Sequence, residues 1–325
     1  MSNILITGGA GYVGSVLAPY LASKNHFVTT YDLMIYGNTL PKNPKIKIVK
    51  GDIRDKKLLS DCLKNQDIVI HLACISNDPS FELNPSLGKS INLDAFEPLV
   101  KISKEKGVKN FIYASSSSVY GIKNEKNVVE DIALEPLTDY SKFKADCEKV
   151  LLNYNSDEFV TTTIRPATVC GYSPRQRLDV VVNIFTNLAY NNRKITLFGG
   201  KQLRPNIHMH DMVRVYEKVI NSPTSKIYGE VFNAGYENHT VNELGKIVKE
   251  NIGDDVKLEL IESNDNRSYH ISSSKIKKIL GFETEKNITD AVLDLKLAFE
   301  KGLLPNSLND DKYFNIKTMK KINLK

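Results

Sequence analysis

Tyr140 and Lys144 are the pair in this chain best placed to move a proton. They lie four residues apart in Tyr140-Ser141-Lys142-Phe143-Lys144, inside a stretch from 139 to 154 with helical periodicity, so both project from one helix face. A phenol ordinarily loses its proton at about pH 10. An ammonium on the same face stabilises the phenolate and draws that value toward neutrality, which makes the tyrosine a usable general base. The spacing alone also suits a plain exposed helix face, and Asp139, Lys142 and Lys149 fit that role. The run Ser115-Ser116-Ser117-Ser118-Val119-Tyr120-Gly121 adds weight, because it directly follows the apolar stretch Phe111-Ile112-Tyr113-Ala114. A hydroxyl at that strand end can hold the oxygen whose proton the tyrosine removes.

Removing a proton from a carbinol is productive when something else takes the hydride, and the start of the chain supplies a place for it. Thr7-Gly8-Gly9-Ala10-Gly11-Tyr12-Val13-Gly14 follows the apolar run Ile4-Leu5-Ile6 and precedes a helical segment from Ser15. Gly9, Gly11 and Gly14 fit the G-x-G-x-x-G spacing, and Gly8, Gly11 and Gly14 fit a tighter one. A glycine turn between a strand and a helix lets a dinucleotide pyrophosphate approach the backbone at a helix N-terminus. Gly8, Gly11, Tyr12, Val13 and Gly14 are the expected contacts. Asp32 ends the second apolar run, 18 residues after Gly14, where a carboxylate accepts hydrogen bonds from the adenosine ribose. It would repel a 2′-phosphate, and Leu33-Met34-Ile35-Tyr36-Gly37-Asn38 carries no Arg or Lys to bind one, so NAD is expected over NADP.

Further candidates follow later strands. In Gly51-Asp52-Ile53-Arg54-Asp55, Asp52 is placed to meet the adenine amine and Ile53 to pack on the ring, while Asp55 suits a helix N-cap. In His71-Leu72-Ala73, Leu72 and Ala73 are expected along the dinucleotide, and His71 reads as a core histidine.

The elements that must position these residues alternate. Apolar runs at 3–7, 27–31, 46–49, 67–72, 110–114 and 159–164 are separated by helical patterns at 14–24, 55–64, 86–106 and 139–154. This rhythm predicts an α/β fold with a doubly wound parallel sheet, whose ligands sit at the carboxyl ends of the strands. Residues 1–165 are expected to form this Rossmann, NAD-binding domain. Residues 166–325 are expected to form mainly a smaller α+β substrate lobe, with segments crossing back. Its helical patterns fall at 178–190, 209–221, 240–252 and 289–301, with strands near 195–198, 230–233 and 256–260. The tail from Leu303 is weakly periodic and is expected to wrap the surface.

Composition narrows the class. The 325 residues are 41% hydrophobic and 25% charged, the balance of an ordinary globular protein. The net charge of +6 is scattered, with no basic run interleaved with aromatics, so nucleic-acid binding is not expected. No apolar run is long enough for a membrane span. The first strand begins near residue 3, which leaves no room for a signal peptide, so a cytoplasmic protein is expected. Cys62, Cys74, Cys147 and Cys170 lack metal-ligand spacing, and the six histidines include no H-E-x-x-H, so no metal is expected.

Together, the glycine turn, Asp32, Gly51-Asp52, His71-Leu72-Ala73, the serine run ending in Val119-Tyr120-Gly121 and the Tyr140/Lys144 pair resemble the extended short-chain dehydrogenases/reductases of the nucleotide-sugar epimerase/dehydratase type. The resemblance covers about residues 3–300. It implies Ser116 as the catalytic hydroxyl beside Tyr140, and Lys144 on the nicotinamide ribose. It also implies a brace for the active-site loops at Asn92, and Cys74 in place of a usual alanine near the cofactor. Arg204-Pro205-Asn206-Ile207-His208-Met209-His210-Asp211 is similar to a family segment whose arginine binds the nucleotide diphosphate, with Asp211 expected to cap the next helix. Arg267 resembles a second such arginine. Arg175, Arg177 and Asn183 lie where the family's substrate loop enters a helix, and one of the three is expected at the substrate with Ser116 and Ser117. Cys170 stands where an aromatic often precedes the glycine. Family members often dimerise through the helices at 86–106 and 139–154, so a homodimer is expected.

The family's 4,6-dehydratases carry an Asp-Glu pair where this chain has Ser117 and Ser118, which excludes that reaction. Ile75-Ser76-Asn77-Asp78-Pro79, Arg165-Pro166-Ala167-Thr168-Val169 and Asn266-Arg267-Ser268-Tyr269-His270 resemble a subgroup that includes bacterial GDP-D-glycero-D-manno-heptose 4-dehydrogenases of capsular polysaccharide synthesis. The expected activity is therefore NAD-dependent oxidation at C4 of a GDP-linked sugar, a heptose being favoured. The alternatives are a nucleotide-sugar 4-epimerase on the same residues and a non-catalytic NAD-binding sensor, which would have little use for Tyr140 and Lys144. A steroid- or flavonoid-type reductase would have little use for Arg204 and Arg267.

Overall fold

The six apolar runs of the first half form β1 (Asn3–Thr7), β2 (Phe27–Asp32), β3 (Ile46–Lys50), β4 (Ile68–His71), β5 (Asn110–Ala114) and β6 (Val160–Pro166). The second half adds β7 (Thr168–Cys170), β8 (Lys194–Phe198), β9 (Leu203–His208), β10 (Glu230–Ala234), β11 (Glu237–Thr240) and β12 (Lys257–Ile261). This computed structural model describes residues 1–76, 78–125, 127–262, 268 and 270–322. Seven strands make one sheet in the order β10-β6-β5-β4-β1-β2-β3, with every neighbouring pair parallel. Strand order reverses between β1 and β4, so a crevice opens above their carboxyl ends, beside the glycine turn.

Helices α1 (Gly14–Ser23), α2 (Lys56–Cys62), α3 (Asp78–Glu82), α4 (Pro85–Lys89), α5 (Phe96–Glu105) and α6 (Asp139–Tyr154) belong to the first half. The strands bury both faces, as a sheet covered on two sides requires. On one face Ile4, Ile6, Ile70 and Ile112 pack with Leu17 and Leu21 of α1. On the other, Leu5, Val69 and Phe111 pack with Leu99 of α5 and Leu151 of α6. The helical pattern at 86–106 is interrupted: a π-helical turn, Ser90–Asp94, joins α4 to α5. It faces Asn92 inward, a use to which such bulges are often put.

The second half contains α7 (Val181–Asn192), α8 (Met209–Ile220), α9 (Val241–Ile252), α10 (Ser274–Leu280), α11 (Ile288–Glu300) and α12 (Asn315–Ile322). It does not stay on one side of the molecule. β10 crosses back to pair with β6, and Met212, Val213 and Tyr216 of α8 join the core that covers α1. What remains is a smaller lobe. It holds the sheet β11-β9-β7, the pair β12-β8, and a core of Val182, Phe185, Leu244, Val248 and Val292 from α7, α9 and α11. The weakly periodic tail ends in α12, which packs near α3 at the rim of the crevice.

Two glycines of the first turn are required by space. Gly8 has φ +74°, and a Cβ there would stand 2.6 Å from the Ala73 nitrogen after β4. A Cβ on Gly14 would meet the Gly8 carbonyl oxygen at 2.4 Å and Gly9 Cα at 2.6 Å, all of it backbone. Gly14→Ala must therefore spread the turn. Overpacking of this kind costs about 1–3 kcal/mol. The expected outcome is a Tm lowered by several degrees together with loss of dinucleotide binding, read by differential scanning fluorimetry with and without NAD.

Candidate active site

The strand ends and the first turns of α1 and α6 enclose a cavity of about 340 Å³. Gly8, Gly11, Tyr12, Val13, Gly14 and Asp32 line one end, and Ser115, Ser116, Ser117, Ser118, Tyr140 and Lys144 another. Residues read separately from the sequence thus face one space.

At the reactive end, Thr138 caps α6 in a reciprocal box with Ser141, which fixes where Tyr140 begins the helix. The Thr138 hydroxyl also donates to Asp78. One turn on, Lys144 is buried, and its Nζ donates to the Ala114 carbonyl at 2.6 Å. The ammonium stands 4.9 Å from the Tyr113 ring centre and 5.9 Å from that of Tyr140. Its charge is thereby held against the tyrosine expected to lose a proton. Ser116 caps the short turn Ser117–Tyr120, and its Oγ lies 2.8 Å from Ser118 Oγ.

Beneath these residues lies a buried ion pair. Glu148 of α6 takes three donor contacts from Arg165 of β6, the shortest being 2.7 Å, and accepts a further hydrogen bond from the Ser115 hydroxyl. Arg165 also donates to the Tyr120 hydroxyl at 2.7 Å and to the Glu130 carbonyl at 3.0 Å. Tyr120 in turn donates to Asn233 of β10. Arg165 therefore serves as a structural cation, while Ala167, Thr168 and Val169 of the same motif line the cavity.

At the cofactor end, no side chain caps α1, so its N-terminus is left to a ligand. Asp32 accepts from the backbone N–H of Ala10 at 3.0 Å and of Met34 at 2.7 Å, one on each carboxylate oxygen. Each oxygen keeps a lone pair for a ribose hydroxyl. Burial pushes its carboxyl above the ordinary range, and the two backbone donors pull the other way. Ile53, Leu72, Ala73 and Cys74 also line the cavity. A glycine turn, an uncapped helix N-terminus and a ribose-ready carboxylate together fit a dinucleotide. Gly8, Gly11, Tyr12, Val13 and Gly14 would hold its pyrophosphate, Asp32 its adenosine ribose, and Tyr140 and Lys144 its nicotinamide half.

Several expected site residues stand elsewhere. Asp52 does not line the cavity: its carboxylate is taken by Arg54, with Nη2 at 2.6 Å and Nε at 3.0 Å. Asn183 is fully buried under the lobe junction, where it accepts from Gly171 N–H and donates to the Tyr12 hydroxyl at 2.9 Å and the Arg177 carbonyl at 2.8 Å. It is shut off from the cavity by this burial, and its amide positions Tyr12 instead. Arg204 lies on β9 and is not among the residues that line this cavity; its Nη1 donates to the Leu203 carbonyl at 3.0 Å. Arg267 lies outside the described residues, as do Asn77, Asn266 and Tyr269. His208, rather than Asp211, caps α8, and Asp211 is buried on the backbone N–H groups of Glu285 and Lys286. Asp55 does cap α2, and Asn92 braces the loop after β4 with two hydrogen bonds to the Ile75 backbone. Arg175 and Arg177 both line the cavity, as does Asn315 of α12. Nothing in the weak periodicity of the tail pointed to Asn315. Among the described residues, no group of three or more His, Cys, Asp or Glu is placed to hold a metal, and no helix is long and apolar enough to cross a membrane.

Fold and site define an NAD-binding α/β enzyme whose cavity brings Ser116, Tyr140 and Lys144 together. The chain belongs to the NAD dependent epimerase/dehydratase family, which matches residues 4–235. It is 27% identical over 312 residues to a dTDP-glucose 4,6-dehydratase of Streptomyces griseus, covering 90% of this chain and 92% of that one. Among solved structures, the UDP-glucose 4-epimerase of Thermotoga maritima with UDP-glucose is 26% identical with a TM-score of 0.85, covering 93% of this chain and 99% of that one. MoeE5 in complex with UDP-glucuronic acid and NAD is 26% identical with a TM-score of 0.81, covering 92% of this chain and 99% of that one.

Two outcomes follow from the buried groups. Glu148→Ala strands the Arg165 charge, whose side chain is 6% exposed. Removing one partner of such a pair costs about 3–5 kcal/mol, to be read as a lowered urea midpoint. His71 is buried, bonded at Nδ1 to the Thr7 hydroxyl at 2.7 Å, and packed on Tyr113. Burial, and after it the Lys144 charge, pulls it from 6.5 down to about 3. Between those values the unfolded chain holds a proton there that the folded chain lacks, so stability rises with pH across the window and is lost on acidification below about 6.5. The His71 ring resonances should accordingly show no titration between about pH 5 and 8 by NMR.

Proposed function

We propose that this enzyme oxidises C4 of a nucleotide-linked sugar to the 4-keto sugar with NAD, a GDP-linked heptose being the favoured substrate. The observation that supports it best is Lys144, pinned to the Ala114 carbonyl at the β5 end and facing the Tyr140 ring, with Ser116 two residues along the same strand end. The Ser116 hydroxyl orients the C4 oxygen. Tyr140, as phenolate, takes the C4 hydroxyl proton, and the Lys144 charge stabilises that phenolate beforehand. When bound, NAD supplies the acceptor for the hydride that leaves C4. Proton and hydride together account for the two electrons lost by the carbinol.

Elimination across C5 and C6 needs an acid close to the reacting carbon. Positions 117 and 118 are serines. The carboxylates lining the cavity among the described residues are Asp32, at the adenosine end, and Asp78, which accepts from the Thr138 cap. The GDP-heptose reading rests on three segments of resemblance, of which Ile75, Ser76, Ala167, Thr168 and Val169 line the cavity. A 4-epimerase is the second reading, favoured by the epimerase among the similar structures. It would use the same residues and return the hydride to the other face of C4. A silent NAD sensor would leave the assembled tyrosine, lysine and serine without use.

Tyr140→Phe removes the proton acceptor and nothing else of the site. Turnover should fall by about 10²–10⁴-fold while NAD binding is kept. A panel of GDP-, UDP-, CDP- and dTDP-sugars, followed by absorbance at the reduced-nicotinamide band and by NMR at C4, tests the substrate. A 4-keto product from a GDP-heptose is expected. An inverted C4 centre with no accumulated keto sugar would instead show the epimerase, and activity confined to a UDP-hexose would overturn the heptose reading.

A further inference from the structure

Two arginines of the second lobe enter the cavity, and their electrostatics differ. Arg177 has an ion-pair partner, Asp179, at 2.8 Å. Arg175 is 4% exposed, and among the described residues no carboxylate stands within ion-pair distance of it. Its Nη2 donates to Asn315 Oδ1 of α12 at 2.6 Å, and its Nε is buried without a hydrogen-bond partner. A buried cation in this state is costly unless an anion completes it. Burial, and then the neighbouring Arg177 charge, lowers Arg175 to about 10, so it remains charged at neutral pH.

Two anions belong in this cavity, the cofactor pyrophosphate and the substrate diphosphate, and the anchors of Arg175 choose between them. Its backbone N–H faces Ser15 Oγ at 3.4 Å, in the first turn of α1. Ser173, two residues earlier, donates to the Tyr12 carbonyl at 2.7 Å and lies 2.9 Å from Ser15 Oγ. The guanidinium stacks on Tyr36, 3.7 Å from its ring centre, in the loop that follows Asp32. These contacts lie at the glycine turn and the adenosine end, away from Tyr140.

We propose that Arg175 is a cofactor-binding residue supplied by the second lobe, which takes the dinucleotide pyrophosphate and is held in place by Asn315 of the C-terminal helix. A planar guanidinium with free donors suits a pyrophosphate. The same Asn315 donates its side-chain amide to Ser76 Oγ at 2.9 Å and its backbone N–H to the Asp179 carboxylate at 2.8 Å, so α12 ties the clasp to both walls of the cavity. Cofactor retention then depends on the C-terminal helix. The assignment rests on NAD being the dinucleotide held at the glycine turn.

Isothermal titration with NAD, ADP-ribose, adenosine and UDP tests this in wild type, Arg175→Met, Arg175→Lys and Asn315→Ala. Arg175→Met should weaken NAD and ADP-ribose by about tenfold or more, the size of a lost charge-assisted bond. Adenosine and UDP should bind as in wild type, and the ligand-free Tm should not fall, since an uncompensated buried charge has been removed. Arg175→Lys should recover part of the loss, and Asn315→Ala should weaken NAD severalfold. Unchanged NAD affinity with weakened UDP would give Arg175 to the substrate and overturn the assignment. So would a lowered ligand-free Tm with unchanged NAD affinity, the sign of a structural brace. Tighter binding of NADP than NAD by wild type would place the guanidinium at a ribose phosphate and also overturn it. A wild-type protein that binds no NAD would remove the cofactor reading itself, which the titration shows before any variant is compared.

Discussion

The Glu148–Arg165 pair is the contact on which the reactive geometry depends. It is buried, with side chains 7% and 6% exposed, and it draws together the ends of β5 and β6, the start of the serine turn and the middle of α6. Lys144 lies one helical turn before Glu148, and Ser116 follows Ser115, so both candidate groups are one step from this pair. Two buried charges contribute little net stability once desolvation is counted. Their value is geometric: a bidentate carboxylate–guanidinium contact sets direction as well as distance. α6 therefore cannot slide or rotate against the sheet without breaking several hydrogen bonds together.

A second constraint joins the two halves of the chain at the glycine turn. The Tyr12 hydroxyl donates to the Gly171 carbonyl at 2.7 Å and accepts from Asn183, while Ser15 meets Ser173. The glycine turn is thus held from above by the second lobe as well as from below by the sheet. β10 and α8 reinforce this by returning to the first half. The lobes of this protein are stitched by the chain itself, and motion between them must work against these contacts.

What could be read from the sequence was what depends on local pattern. β1 to β6 were legible because a strand buried on both faces is a continuous apolar run, and α6 because its period is regular over four turns. The glycine turn, Asp32 and the Tyr140/Lys144 pair were legible because their chemistry depends on fixed spacing. The residues that moved are those whose role is decided by a distant partner. Asp52 turned to Arg54, and Asn183 spent its amide on Tyr12 and Gly171. The π-helical turn at Ser90–Asp94 adds one residue per turn without a break in hydrophobicity, so a single helix was expected there. β10 has the same composition whichever sheet it joins, and α12 is an eight-residue helix whose apolar face says nothing of its first residue meeting the cavity.

Oxidation and epimerisation at C4 use the same three side chains, so the tyrosine, lysine and serine cannot distinguish them. The difference lies in what the protein must release. An epimerase returns the hydride to the sugar that gave it and can keep its cofactor enclosed through many turnovers. A net oxidation leaves the cofactor reduced, and the protein must then let it go or admit a hydride acceptor before the next sugar reacts. A contact such as that between Arg175 and Asn315 would oppose the first of these routes. On the proposed Arg175 assignment, the choice between the two reactions would turn on how readily the second lobe and the C-terminal helix let the reduced cofactor go, rather than on Tyr140, Lys144 and Ser116.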